Sequence, residues 1–148
     1  MITQALLIAA ILGSGLIAGV FFAFSSFVMP ALVRRPADEA AAAMQAVNVT
    51  VINWHFLGAL FGTALLALIL PWFGNPWAMA GSLLYLGGTI GVTVFANVPR
   101  NERLAKLNPA EAASYWPGFH RGWTLWNHLR TLTAVGAAFS YTLALLAL

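Results

Sequence analysis

All eleven charged side chains of this chain fall in two windows, residues 34–39 and 100–130. Residues 1–33, 40–99 and 131–148 carry none. A soluble domain has about a quarter charged residues; here 7% are charged and 61% hydrophobic, and the mean hydropathy is +0.83. Such stretches belong in lipid, so the chain reads as an all-α integral membrane protein with one domain over residues 1–148. The net charge of +3 comes with no long basic stripe, which argues against nucleic acid as a partner. Cysteine is absent, which excludes disulfides, thiolate metal sites and cysteine nucleophiles.

A membrane span needs roughly 20 apolar residues. Four segments qualify, at about Ile2–Met29, Trp54–Trp72, Trp77–Ala96 and Gly122–Ala147. Met1-Ile2-Thr3-Gln4 has no positive n-region, so the first is read as a retained helix rather than a signal peptide. Pro30 follows the first span, and Gly74-Asn75-Pro76 turns the second into the third as a tight hairpin. Pro99 is expected to end the third, because the residue before a proline is biased away from helix. Pro36, Asp38 and Glu39 start an alanine-rich helix expected to run into the second span, and Pro109 and Glu111 open a short helix in the other connector. The predicted fold is therefore a four-helix membrane bundle with a helical extension before the second span.

All seven lysines and arginines lie in the charged windows, which four spans place on one side. The positive-inside rule makes that side cytoplasmic and puts both termini outside, as expected in a bacterial inner membrane. Trp54, Trp116, Trp123 and Trp126 are expected in the inner aromatic belt, and Trp72 and Trp77 in the outer one. The pairs Gly15/Gly19, Gly58/Gly62, Gly87/Gly91 and Gly136/Ser140 have the four-residue spacing of close helix contacts, and packing accounts for them.

Polar residues inside the spans are the candidates for chemistry. Arg130, at the mouth of the fourth span, has Asn127, His128 and Thr131 within a turn and Trp123 and Trp126 nearby. A guanidinium beside lipid requires partners or a wet cavity. Ser82, Tyr85, Thr89, Thr93 and Asn97 form one polar face of the third span, with Asn101 a turn beyond. Interhelical hydrogen bonding accounts for its serine and threonines. Phe21, Phe22 and Phe24 precede Ser25 and Ser26 in the first span, and Phe22 and Ser26 are assigned to a pocket. Gln45, Asn48 and His55 are expected on one face of the helix leading into the second span. His128 lies about 100° round the helix from Asn127.

No cofactor is predicted. Metal or haem ligation by His55, His120 or His128 is the alternative, and no HExxH or His-x-x-x-His spacing supports it. No phosphate loop, nucleophile elbow or dinucleotide fingerprint is present. The residues outline an aromatic pocket at the charged end of the bundle, with one fixed positive charge, carboxamides and an imidazole. That suits a flat, lipophilic molecule bearing an acidic phenol or a carbonyl.

Three segments, residues 19–32 (GVFFAFSSFVMPAL), 97–104 (NVPRNERL) and 123–131 (WTLWNHLRT), resemble the anthrone oxygenase-like family of small membrane proteins. The resemblance implies a four-helix bundle. In fungal members it implies oxidation of anthrones to anthraquinones with molecular oxygen and no added organic cofactor. Asn97, Asn101, Trp126, Asn127 and Arg130 match the family's recurrent polar positions, whereas Arg100 stands where a small or apolar residue is usual. On this basis Arg130, Asn127 and Asn97 would hold an enolate oxygen, with His128 or His55 as the base. Trp126, Trp123, Tyr85, Asn48, Asn101, Ser26 and Phe22 would bind the substrate. Expected partners are a lipophilic aromatic molecule, molecular oxygen and the bilayer; a homo-oligomer is allowed. Two other readings use the same residues: a non-catalytic binder or carrier of a lipophilic molecule, and a structural subunit that presents the Ser82–Asn97 face to a larger membrane partner.

Overall fold

The computed structural model describes residues 1–148, which are helical throughout apart from short turns and contain no strand. The helices are α1 (Ile2–Val33), α2 (Ala37–Thr50), α3 (Trp54–Phe73), α4 (Pro76–Ala105) and α5 (Pro109–Leu146). All but α2 are long and apolar enough to cross a membrane. The spans form a ring in which α1 packs on α3 and α5, and α4 packs on α3 and α5. The α3–α4 hairpin closes through Gly74, whose φ of 72° suits glycine, and Asn75, whose side chain accepts from the N–H groups of Trp77 and Ala78.

Three helices run further than the sequence suggests. At 32, 30 and 38 residues, α1, α4 and α5 exceed the roughly 20 residues that span a bilayer. Helix α1 passes Pro30 and α4 passes Pro99, and in each case a widened π-helical turn comes just before, Phe24–Val28 and Thr93–Asn97. Each proline then sits second in the α-helical segment that follows, where its missing N–H and its ring are tolerated. The expected short helix after Pro109 is instead the first part of α5, which continues through Pro117. Its start is a capping box between Asn108 and Glu111.

The expected continuous helix from Pro36 into the second span breaks at Val51–Asn53. The Asn53 side chain accepts from Phe56 N–H and starts α3 afresh. Asn48 and His55 therefore do not share a face. The α2 helix lies across the projecting ends of α4 and α5. Gln45 donates to the Leu104 and Leu107 carbonyls, and Ala40, Ala41 and Met44 pack with Leu104, Ala112, Trp116 and Phe119. Burying this face consumes Trp116 and Trp123, which are core rather than belt residues. Trp54, Trp72 and Trp77 remain exposed.

Three of the four small-residue pairs do not make the helix contacts; Gly136/Ser140 is the exception. A Cβ at Gly15, Gly19, Gly58, Gly62 or Gly87 would meet nothing within 4 Å, and one at Gly91 would meet only Leu86 O of its own helix. Close approach occurs at Gly13 against Thr63, Gly81 against Tyr141, Gly88 against Thr133 and Gly136 against Leu84. Ser140 is buried. Gly88→Ala is expected to destabilise the bundle by about 1–3 kcal/mol through overpacking. Gly58→Ala is expected to stabilise it by about 0.5–1 kcal/mol through backbone entropy. Reversible unfolding in mixed detergent micelles would compare them, and equal effects would refute this assignment of the contacts.

The candidate active site

The hydrophobic core is not continuous. One large cluster, including Leu7, Ala67, Tyr85 and Tyr141, fills the charge-free end, and a second, including Met29, Met44, Trp116 and Trp123, fills the charged end. Between them, beside the small cluster Ile17, Phe21 and Leu60, lies a cavity of about 470 Å³. The packing of α3 on α4 is concentrated in the Pro76–Gly91 part of α4, so the two spans separate towards the charged end. Sixteen of the 22 residues lining the cavity are hydrophobic, so the space is chiefly apolar. Its rim includes the exposed apolar side chains Val49, Ile52, Phe61, Val94 and Val98.

The polar wall is built by α4 and α5. Arg130 lines the cavity and is only 5% exposed. Its Nη2 donates to Asn127 Oδ1 at 2.6 Å and its Nη1 to Thr93 Oγ1 at 3.3 Å. The guanidinium carbon lies 4.1 Å from the Phe21 ring centre and 5.2 Å from the Trp123 ring centre. These π faces replace part of the lost hydration. No carboxylate pairs with it, since the single ion pair of the chain is Arg35–Glu39. The site thus holds a buried positive charge whose natural complement is an anionic or strongly polarised oxygen.

Asn127 stands behind Arg130 and does not line the cavity. Its Nδ2 donates to Phe21 O at 2.6 Å and Ser25 Oγ at 2.5 Å, at the edge of the widened turn of α1. These bonds fix which carboxamide atom faces Arg130. Asn97 Nδ2 donates to Trp123 O at 3.2 Å, which leaves Asn97 Oδ1 free. Six buried side-chain polar atoms have no partner in the fold. Five belong to residues lining this cavity: Asn48 Nδ2, Asn97 Oδ1, Asn101 Oδ1, Trp123 Nε1 and Arg130 Nε. The sixth, Ser14 Oγ, lies elsewhere on α1. Buried polar groups are nearly always satisfied, so these three donors and two acceptors, all on residues lining one cavity, call for partners that the fold itself does not supply.

The structure brings Arg130, Asn97, Asn101, Asn48 and Trp123 to the cavity, with Asn127 as their support. It does not bring the other expected residues. His55 is exposed with its ring tilted against Trp54, and His128 is exposed on the outer face of α5. Neither lines the cavity, because the break at Asn53 and the 100° step from Asn127 turn them away. Trp126 is half-buried outside the lining. Tyr85 donates to Leu60 O in the core. Phe22 is 61% exposed, and Ser26 bonds back to Phe22 O. The inward face of α1 is Phe21, Phe24 and Ser25, one position earlier, a register that neighbouring serines and phenylalanines left open. Met44, Val47, Phe56, Leu60 and Glu102 were missed, because apolar residues and a connector carboxylate carry no local signal.

The Ser82–Asn97 face is used internally. Ser82 meets Tyr141 OH at 3.2 Å and Thr89 meets Thr133 Oγ1 at 3.2 Å, while Thr93 and Asn97 bond Arg130 and Trp123 O. It offers no free surface to a larger partner. His55, His120 and His128 do not gather with one another or with carboxylates into a ligand set.

No curated protein and no solved structure matches the chain. The sequence profile of the family described as anthrone oxygenase matches residues 50–140, which is more than half of the chain. That stretch supplies Asn97, Asn101, Trp123, Asn127 and Arg130, whereas Phe21, Phe24 and Asn48 come from helices before it. With its polar wall inside the matched region, this four-helix membrane bundle belongs to the anthrone oxygenase family.

Proposed function

We propose that the protein is an oxygenase that converts a flat lipophilic substrate of the anthrone type to the quinone with molecular oxygen and no added cofactor. The observation that carries this reading is the cluster of five unpartnered polar atoms round a buried, unpaired Arg130 in an otherwise apolar cavity. The volume suits a tricyclic ring system, since small-molecule sites span about 300–1,000 Å³. The apolar rim between α3 and α4 admits such a molecule from the bilayer.

In this reaction the methylene opposite the carbonyl loses a proton, and its electron pair moves to the carbonyl oxygen as an enolate. Arg130 and Trp123 Nε1 donate to that oxygen, and Asn97 and Asn101 accept from substrate hydroxyls. Oxygen adds to the carbanionic carbon, the peroxide anion takes up a proton, and the hydroperoxide loses water to give the second carbonyl. Preorganised donors in a dry site are worth far more to a developing oxyanion than the same donors in water.

Oxygen uptake by detergent-purified protein with unsubstituted anthrone tests this. One oxygen molecule should be consumed per quinone formed, above the spontaneous rate and undiminished by chelator. Loss of uptake on chelation would move the chemistry to a metal. The second reading, a non-catalytic binder, is favoured by the absence of any histidine from the cavity wall. It requires saturable quinone binding with no uptake above background.

A further inference from the structure

We infer that Glu102 is the general base that takes the substrate proton. This rests on the reading of the cavity as an anthrone-type site and assigns the one role that reading leaves vacant.

Glu102 is the single carboxylate lining the cavity. The other three acids are elsewhere: Glu39 is paired with Arg35, Glu111 closes the capping box of α5, and Asp38 lies in the first turn of α2. Glu102 has no ion-pair partner and its side chain makes no hydrogen bond in the fold, so its carboxylate is free to accept a proton. It sits on the same helix as Thr93, Asn97 and Asn101, at the exposed end of the polar wall. A proton received there passes directly to water.

The axial spacing is of the order the chemistry needs. An anthrone carries its carbonyl and its acidic carbon on opposite edges of the central ring, so oxyanion donor and base must face each other across one ring. One ring width plus a hydrogen bond at each side is roughly 10 Å. Thr93, which holds Arg130, and Glu102 are nine residues apart on α4, a rise of roughly 13 Å. In the step itself, the C–H bond breaks, the proton bonds to a carboxylate oxygen, and the electron pair is delocalised onto the carbonyl oxygen beside Arg130. The carboxylic acid then loses the proton to solvent, and the carboxylate is restored.

Anaerobic hydrogen–deuterium exchange at the anthrone methylene, read by mass spectrometry in heavy water, isolates this step from oxygenation. The wild-type protein should accelerate exchange above the solvent rate. Glu102→Gln should slow the accelerated exchange at least about 100-fold, the low end of general-base effects, and Glu102→Asp should restore part of it. The helical circular dichroism and its loss on heating should match wild type in both variants, because an exposed side chain is replaced. Exchange by Glu102→Gln at the wild-type rate would overturn the assignment, as would wild-type oxygen uptake without any catalysed exchange. Exchange that depends on Glu102 but is followed by no oxygen uptake would uphold the base and overturn the oxygenase reading alone. Absence of both exchange and uptake in the wild-type protein would overturn both.

Discussion

Arg130→Met is expected to lower kcat/KM for anthrone oxygenation about a thousandfold, the upper range for loss of one oxyanion donor, while the bundle stays folded. The guanidinium is the only cation in the cavity wall and is 5% exposed, so no neighbouring charge or bulk water replaces it. Folding should survive because an unpaired buried charge is costly, and an apolar side chain of similar length removes that cost. Thr93 Oγ1 keeps its bond to Thr89 O, so only Asn127 Oδ1 loses its partner, a penalty of about 1–3 kcal/mol. Arg130→Lys keeps the charge but gives up the fork that reaches Thr93 and Asn127 together, and should recover only part of the rate. Oxygen uptake with each variant, beside helical circular dichroism during heating, checks both halves. Turnover within tenfold of wild type in a folded Arg130→Met protein would take the guanidinium out of the reaction.

Asn127→Leu is expected to destabilise the protein by about 3–5 kcal/mol, the scale for breaking a buried network around a charge. This one carboxamide ties three groups: the Phe21 carbonyl, the Ser25 hydroxyl and the Arg130 guanidinium. Leucine leaves the guanidinium with only Thr93 as a hydrogen-bond acceptor and takes a donor from the carbonyl at the edge of the widened turn in α1. Asn127→Asp separates stability from function. A carboxylate there would pair with Arg130 and hold the bundle better than leucine does. It would also cancel the positive charge that the substrate oxyanion needs, so activity should fall as far as in Arg130→Met. Detergent unfolding and oxygen uptake on the same two samples test this. An active Asn127→Asp protein would mean that the free charge on Arg130 is not required.

The number and approximate position of the spans were legible because the property that sets them is local. Charge-free apolar stretches have one stable solvent, and Gly74-Asn75-Pro76 and Pro109 with Glu111 carry their turn and helix-start chemistry within three residues. Arg130, Asn97, Asn101 and Asn127 were legible for the same reason, since a charge or carboxamide near lipid is too costly to be incidental. Prolines misled as helix ends, because a π-helical turn placed before Pro30 or Pro99 lets the helix continue.

What the sequence by itself determined is therefore a helical membrane bundle, its hairpin, and a polar cluster at its charged end. The tertiary structure alone decided which helix faces meet. It put Gly13, Gly81 and Gly88 at the contacts in place of three of the glycine pairs and kept Gly136, turned His55 and His128 outward, and brought Phe21, Met44 and Glu102 to one cavity. The physical reason is that a face is set by rotation about each helix axis, and in lipid no hydrophobic gradient drives that rotation. Close packing and the hydrogen bonds of buried polar groups decide it, and both depend on residues far apart in the chain.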